Sequence, residues 1–306
     1  TGWQVAGQIC RGPVAFGPRD CHGQTAPGPA MRRSRAVNGL SRHGMVRRGP
    51  TRAPERLVMP NFLPDLPQAR ITEALSRAPG NELRSGKFDA AESSAALVAN
   101  AFGWFLDRPA SLPPLPGVPA GAVETVDLEV EMRFPWAGGR HPWLDVGIVT
   151  HTTLVGVESK RYEPFRPAKQ TGFSDVYDRP VWGPNMARYT ALAQALIAGT
   201  ADFRVLDAVQ LVKHAYGIRT RAQKRALGSV LVYLYAEPAQ WASGKPVDPA
   251  RKAQHRAEIA RFGETVAGDD VVFVPLNWGD LLWHWDRVPA LRAHVAALRA
   301  RFGDLG

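Results

Sequence analysis

From Glu124 to Phe134 apolar and polar residues alternate without a break. Val126, Leu128, Val130 and Met132 fall on one side, Thr125, Asp127, Glu129 and Glu131 on the other. Strand side chains alternate faces, so this pattern predicts a strand with one apolar face and one solvated or functional face. A second pattern runs from Trp143 to Arg166, where two apolar runs flank His151-Thr152-Thr153. Its strand formers Ile148, Val149, Leu154, Val155 and Val157 predict a β-hairpin. The uninterrupted apolar run Ser229 to Tyr235 suits the centre of a sheet, and Val271 to Pro275 adds a further strand.

Helical spacing appears elsewhere. Leu66 to Arg77 predicts a short helix, and Asp89 to Leu106 a longer one with an apolar stripe at Leu97, Val98, Ala101, Phe102 and Phe105. Asp89 and Glu92 have the spacing of a capping box. Asn185 to Ala198 and Asp207 to Tyr216 follow, the latter with an inner stripe of Val209, Val212 and Tyr216 and a break near Gly217. Pro249 to Phe262 and a segment ending near Phe302 complete the helices. The order is helix, three strands, helices, strand, then helix, strand and helix. It predicts an α/β fold with a mixed central sheet flanked by helices and a C-terminal α/β extension.

The hairpin carries charges where a buried hairpin should not: Asp145 in its first strand, Glu158 and Lys160 in its second. A turn centred between His151 and Thr152 pairs Thr150 with Thr153. That register sets Gly147 opposite Gly156 and Asp145 opposite Glu158. Opposed residues on paired strands have Cβ atoms only about 4.5–5.5 Å apart, and like charges there destabilise a sheet. A hard divalent cation relieves the repulsion, and Mg²⁺ is usually held by one or two carboxylates plus waters and substrate phosphate. Lys160 shares a face with Glu158 and points at the same place.

Asp145, twelve intervening residues and Glu158-Ser159-Lys160 resemble the D-(x)n-E-x-K signature of the PD-(D/E)xK nuclease superfamily. The wording ESKRYEPFR and the preceding SSAALVANAFGWF are similar to bacterial restriction-endonuclease-like proteins, over about Lys87 to Pro238. The proline of the family's name is displaced, since Pro142 lies three residues before Asp145. The resemblance implies a restriction-endonuclease-like core and a metal-dependent nuclease. In it Asp145, Glu158 and the main-chain carbonyl of Ser159 would hold Mg²⁺ or Mn²⁺, and Lys160 would position water or contact phosphate. It also implies DNA as the substrate, a possible homodimer, and a first helix that lends an acid, for which Glu92 is the candidate beside its capping role. The helix after the motif strand often lends a polar residue in this superfamily, which selects Gln210 and Lys213. The alternative is a non-catalytic nucleic-acid-binding or assembly module that keeps the fold, though the intact acid, acid and lysine set argues against it.

Composition sharpens the domain picture. The chain has 306 residues, a formal charge of +10 and an apolar share of 45%, enough for one large domain with an extension. Residues 1–58 hold ten Arg, no Lys and two acids, so eight of the ten net positive charges lie there. This stretch has no hydrophobic period and predicts a disordered basic tail, read either as a phosphate-gripping arm or as sequence ahead of a body that starts near Met59. The resemblance implies that residues 59–238 are the nuclease-like domain and 239–306 an extension packed on it. Both cysteines, Cys10 and Cys21, lie in the tail, which leaves the body without ligands for a Cys zinc site or an iron–sulfur cluster. No apolar run approaches the roughly 18 residues of a membrane span, and no signal-peptide pattern opens the chain; a cytoplasmic protein is the expectation.

Two further groups bear on substrate. Phe173, Tyr177 and Trp182 lie among Lys169, Arg179 and Arg188 and could stack on bases or anchor a loop. Arg219 and Arg221, with Lys224 and Arg225, could contact phosphate or form a solvated helix face. The cluster Asn277, Trp278, Trp283, His284 and Trp285 reads as packing.

Overall fold

A computed structural model describes residues 60–80, 82–167, 172–303 and 305–306. The basic tail, both cysteines and Lys169 lie outside the described residues. The described residues belong to one compact unit. It is α/β: a mixed five-stranded sheet with helices on both faces.

The strands are β1 (Val123–Glu131), β2 (Trp143–Thr150), β3 (Thr153–Lys160), β4 (Gly228–Tyr235) and β5 (Val271–Asn277). They lie in sequence order across the sheet. β1, β2 and β3 form an antiparallel meander, and β3, β4 and β5 run parallel. The helices are α1 (Gln68–Arg77), α2 (Ser94–Gly103), α3 (Ala187–Ile197), α4 (Ala208–Gln223), α5 (Pro249–Val266), α6 (Trp278–Asp286) and α7 (Arg292–Phe302). Apolar residues of α1, α2, α6 and α7 share one core with Val155, Val157, Val230 and Val232. Those of α3, α4 and α5 pack on the opposite face with Leu154, Leu231 and Tyr233. Burial of alternate β4 residues against two different helix layers explains why that strand is apolar throughout.

The expected hairpin register is observed from Val149–Leu154 to Val146–Val157, with Gly147 opposite Gly156, but the ladder ends there, so Asp145 and Glu158 are not a paired position and Asp145 bonds the Ser159 N–H instead. A Cβ on Gly156 would come 2.4 Å from Leu144 Cδ1 and 2.7 Å from Ile218 Cδ1, so the glycine admits both side chains.

Several expectations need correction. The alternation in β1 does not mark one apolar face. Val126 and Leu128 pack in one core, whereas Val130 and Met132 pack in the other. The switch occurs at Glu129, whose φ of 50° is left-handed. Leu144 and Val146 of β2 divide between the cores in the same way. The first long helix starts at Ser94, not Asp89. Ser93 caps it by accepting the Ala96 N–H, and Asp89 instead accepts the Asn61 N–H. α4 is not broken at Gly217 but runs on to Gln223. A Cβ at Gly217 would lie 2.7 Å from Met132 Cβ and 2.8 Å from Met132 O, so this glycine permits close helix-to-strand packing. Val209 leaves the inner stripe to line a cleft, and Leu211, His214 and Ile218 are buried instead.

The C-terminal segment does more than pack on the core, because β5 continues the sheet beside β4. Trp278 and Trp285 are fully buried and meet Phe102 edge to face, so the packing reading holds for both; Trp283 is exposed. Trp182 likewise stacks on Tyr216 at 4.0 Å and anchors the segment after β3.

Candidate active site

β3 and β4 end beside a cleft of about 790 Å³, closed on other sides by the start of α4, Arg251 of α5 and residues 201–207. Clefts at the carboxyl ends of parallel strands are where α/β sheets bind ligands. Lys160 and Tyr233 form part of its floor.

The acidic pair sits at the strand switch. Between the Leu128–Val146 and Val130–Leu144 pairs of β1 and β2 lie Glu129 and Asp145. The β2–β3 ladder closes at Val146 and Val157, and beyond it the Asp145 side chain takes over: Oδ2 accepts the Ser159 N–H at 2.6 Å. Oδ1 has no hydrogen-bond partner among the described residues. Ser159 turns its hydroxyl to the opposite face, where it accepts the Trp278 Nε1–H at 3.1 Å. Glu158 is buried on the α4 side of the sheet. Its Oε1 accepts from Lys160 Nζ at 2.5 Å, and its Oε2 lies 3.1 Å from His214 Nε2.

Electrostatics tie these groups together. Burial, then Glu158 and Glu129, push the Asp145 carboxyl well above its ordinary value, and Lys160 and the Ser159 N–H offset this only in part. Burial would also raise Glu158, but Lys160 and then His214 outweigh it and hold the carboxyl down at about 2. Burial pulls the Lys160 ammonium down, yet Glu158, Asp145 and Glu163 keep it above its usual range. Burial, Glu158 and Glu82 raise Glu129 to about 7. The group therefore concentrates negative charge, and the Lys160 ammonium is the cation it holds.

The other sequence candidates divide. Gln210 and Lys213 line the cleft. Lys213 donates to the Gly172 carbonyl at 2.6 Å and lies over the rings of Phe173 and Tyr177. Glu92 is engaged elsewhere: Oε2 pairs with Arg166 at 2.8 Å and Oε1 accepts the Ala242 N–H at 3.0 Å. Arg219 bonds Gln223 and Asp270, and Arg221 bonds the Glu131 carbonyl; neither lines the cleft. Of the β1 acids, Glu129 couples to the site, whereas Glu131 pairs with Arg133.

His214 and Arg251 were not singled out from the sequence. His214 had a signal, a lone imidazole in the buried stripe of α4 one turn after Gln210. Arg251 had none, because only the packing of α5 brings it to the cleft.

Among the described residues no three His, Cys, Asp or Glu side chains converge closely enough to form a metal-binding group, and no helix is long and apolar enough to cross a membrane. No family model, curated protein or solved structure matches this chain.

Proposed function

We propose that this chain is a divalent-metal-dependent nuclease of the PD-(D/E)xK type that hydrolyses phosphodiester bonds in DNA. The observation that carries the reading is the set of contacts at the carboxyl end of β3, where Asp145 accepts the Ser159 N–H, the Glu158 charge raises Asp145, and the Lys160 ammonium is seated on Glu158; of the three, Lys160 lines the cleft and the two acids lie behind it. A free Asp145 oxygen and an ammonium standing in for a cation fit a Mg²⁺ or Mn²⁺ site. Asp145, Glu158 and the Ser159 backbone would hold the ion. Two carboxylates suffice for Mg²⁺, which keeps waters and substrate oxygens as its remaining ligands. When bound, such an ion stabilises charge on a scissile phosphate and lowers the pKa of a bound water.

The chain's own residues supply the rest. Ser159 N–H fixes the Asp145 carboxylate. Lys160, retained as an ammonium, serves the phosphate or the attacking water as a donor. The cleft is lined by Lys160, Arg166, Arg204, Lys213 and Arg251 beside Glu163 and Asp207, and Glu158, Glu92 and Asp202 pair with the first three, so it offers a polyanion cationic donors rather than a net positive charge. The start of α4, capped by Asp207, lies on the same wall. A cytoplasmic location and a homodimer belong to the same proposal.

A binding module that keeps the fold is the second reading. It is favoured by the satisfied Lys160–Glu158 pair, which a purely structural hairpin would also show, and by the fact that no three-ligand metal group is found among the described residues. Incubating the protein with plasmid, single-stranded DNA and RNA, in Mg²⁺ and in chelator, separates the two. Nicking or cutting of DNA in Mg²⁺, abolished by chelator and by Glu158→Gln, is expected. Intact DNA in every arm, with retention of DNA in a shift assay, would establish the module.

A further inference from the structure

Among the described residues two side chains lie against the Glu158 carboxylate oxygens, and the nuclease reading uses only Lys160. The other is His214, which is 2% exposed on the sheet side of α4, between Leu211 and Ile218 in its buried stripe. Nε2 lies 3.1 Å from Glu158 Oε2 but off the line of a good hydrogen bond, and neither ring nitrogen makes one among the described residues. A buried polar group left this way is destabilising, which a leucine here would avoid. Such a group calls for an explanation from the site it faces.

The two neighbours differ in freedom. The Lys160 side chain is 19% exposed, lines the cleft and can change rotamer about four carbons. His214 is enclosed and stands on a continuous helix. One Glu158 oxygen therefore has an exchangeable neighbour and the other a fixed one. We propose that His214 is a positioning residue whose Nε2, 3.1 Å from Oε2, needs only a small realignment to bond that oxygen and fix Glu158, so that Oε1, the oxygen covered by Lys160, is the one presented to a divalent cation. The inference rests on the nuclease reading. Outer partners of metal ligands typically change metal affinity by about ten- to a hundredfold.

The test is a titration of Mn²⁺ alone into the full chain, followed by calorimetry and by the electron paramagnetic resonance signal of free Mn²⁺. His214→Leu should bind Mn²⁺ about ten- to a hundredfold more weakly, while melting in chelator no lower than wild type. His214→Gln, whose amide N–H can replace Nε2, should regain most of the affinity; it carries the test alone if the Leu variant does not fold. Lys160→Met should bind Mn²⁺ as tightly as wild type or tighter, because Oε1 loses its competitor. Equal affinity in wild type and folded His214→Leu, or equal weakening in Leu and Gln variants, overturns the role of His214. Weaker binding in Lys160→Met overturns the division of the two oxygens. Mn²⁺ binding that neither Asp145→Asn nor Glu158→Gln weakens defeats the nuclease reading itself, and no His214 variant can produce that pattern.

Discussion

Asp145 shows what one residue costs and supplies. Its carboxyl is pushed well above the ordinary range by burial and by two other acids, so in the metal-free protein its charge is unfavourable. Asp145→Asn removes that charge and nearly keeps the shape. The variant should lose cleavage yet melt at the same temperature as wild type or higher in chelator. Millimolar Mg²⁺ at fixed ionic strength should raise the wild-type melting temperature and move the variant much less, because a ligand that binds only the folded state stabilises it. Equal Mg²⁺ shifts in both proteins would count against the site. Glu129 adds a pH signature. Its folded value, about 7, lies above its ordinary 4.5, so its contribution to stability is fully present below 4.5 and is lost as pH rises through 7. Glu158, held near 2, acts in the opposite sense: its contribution is present above 4.5 and disappears only as pH falls through 2. Between pH 5 and 8 in chelator the wild-type melting temperature should therefore carry a downward component that Glu129→Gln removes. Parallel pH profiles for the two proteins would show that Glu129 ionises unhindered.

At the scale of elements, the site depends on how α4 lies against the meander. Gly217 lets the helix backbone approach Met132, and the same helix presents His214 to Glu158 and Gln210 to the cleft. Gly217→Ala gains helix propensity worth about 1 kcal/mol. Its new methyl meets the Cβ and carbonyl oxygen of Met132, neither of which is the free end of a side chain. The clash should win, with a net loss of about 1–3 kcal/mol in denaturant unfolding. A gain in stability would mean that helix and strand are not so closely packed. A second element contact sets the cleft wall. The buried Glu258 on α5 accepts the N–H groups of Arg204, Val205 and Leu206 at 2.8–3.1 Å, which ties the segment before α4 to α5.

At the scale of the whole molecule, residues 239–306 are integral to the fold. β5 pairs with β4 along its length, and Trp278 and Trp285 complete the core that holds Phe102 and Phe105. Arg161, next to Lys160, donates to the carbonyls of Ala91 and Phe302 at 2.6 Å each and so links the motif strand to the last helix. A chain ending at Pro238 would expose that core and one edge of β4. It should give no cooperative melting transition, measured by circular dichroism. Removing residues 1–58 should leave the transition in place, because the apolar periodicity begins only after them. A folded 59–238 fragment, or a large drop in melting temperature without the tail, would overturn this account of what the core needs.

The sequence alone determined the strands, most of the helices and the hairpin register, because these follow from local periodicity and from the identity of paired residues. Alternation placed β1, the polar break at His151 to Thr153 placed the turn, and that turn set Gly147 against Gly156. The candidate triad was legible for the same reason: charges in an apolar hairpin stand out without knowledge of anything distant. Tertiary structure decided what depends on neighbours far away in the chain. The strand switch comes from the left-handed backbone at Glu129, and because helices cover both faces of the sheet, an alternating pattern does not say which layer each apolar residue meets. Gly217 reads as a helix stop until Met132 is seen against it. Glu92 reads as a capping residue or a metal ligand until Ser93 is seen to cap the helix and Arg166 and Ala242 claim its oxygens. His214 reaches Glu158, and Arg251 the cleft, only through the packing of α4 and α5, and pairwise contacts between distant segments leave no period in a single sequence.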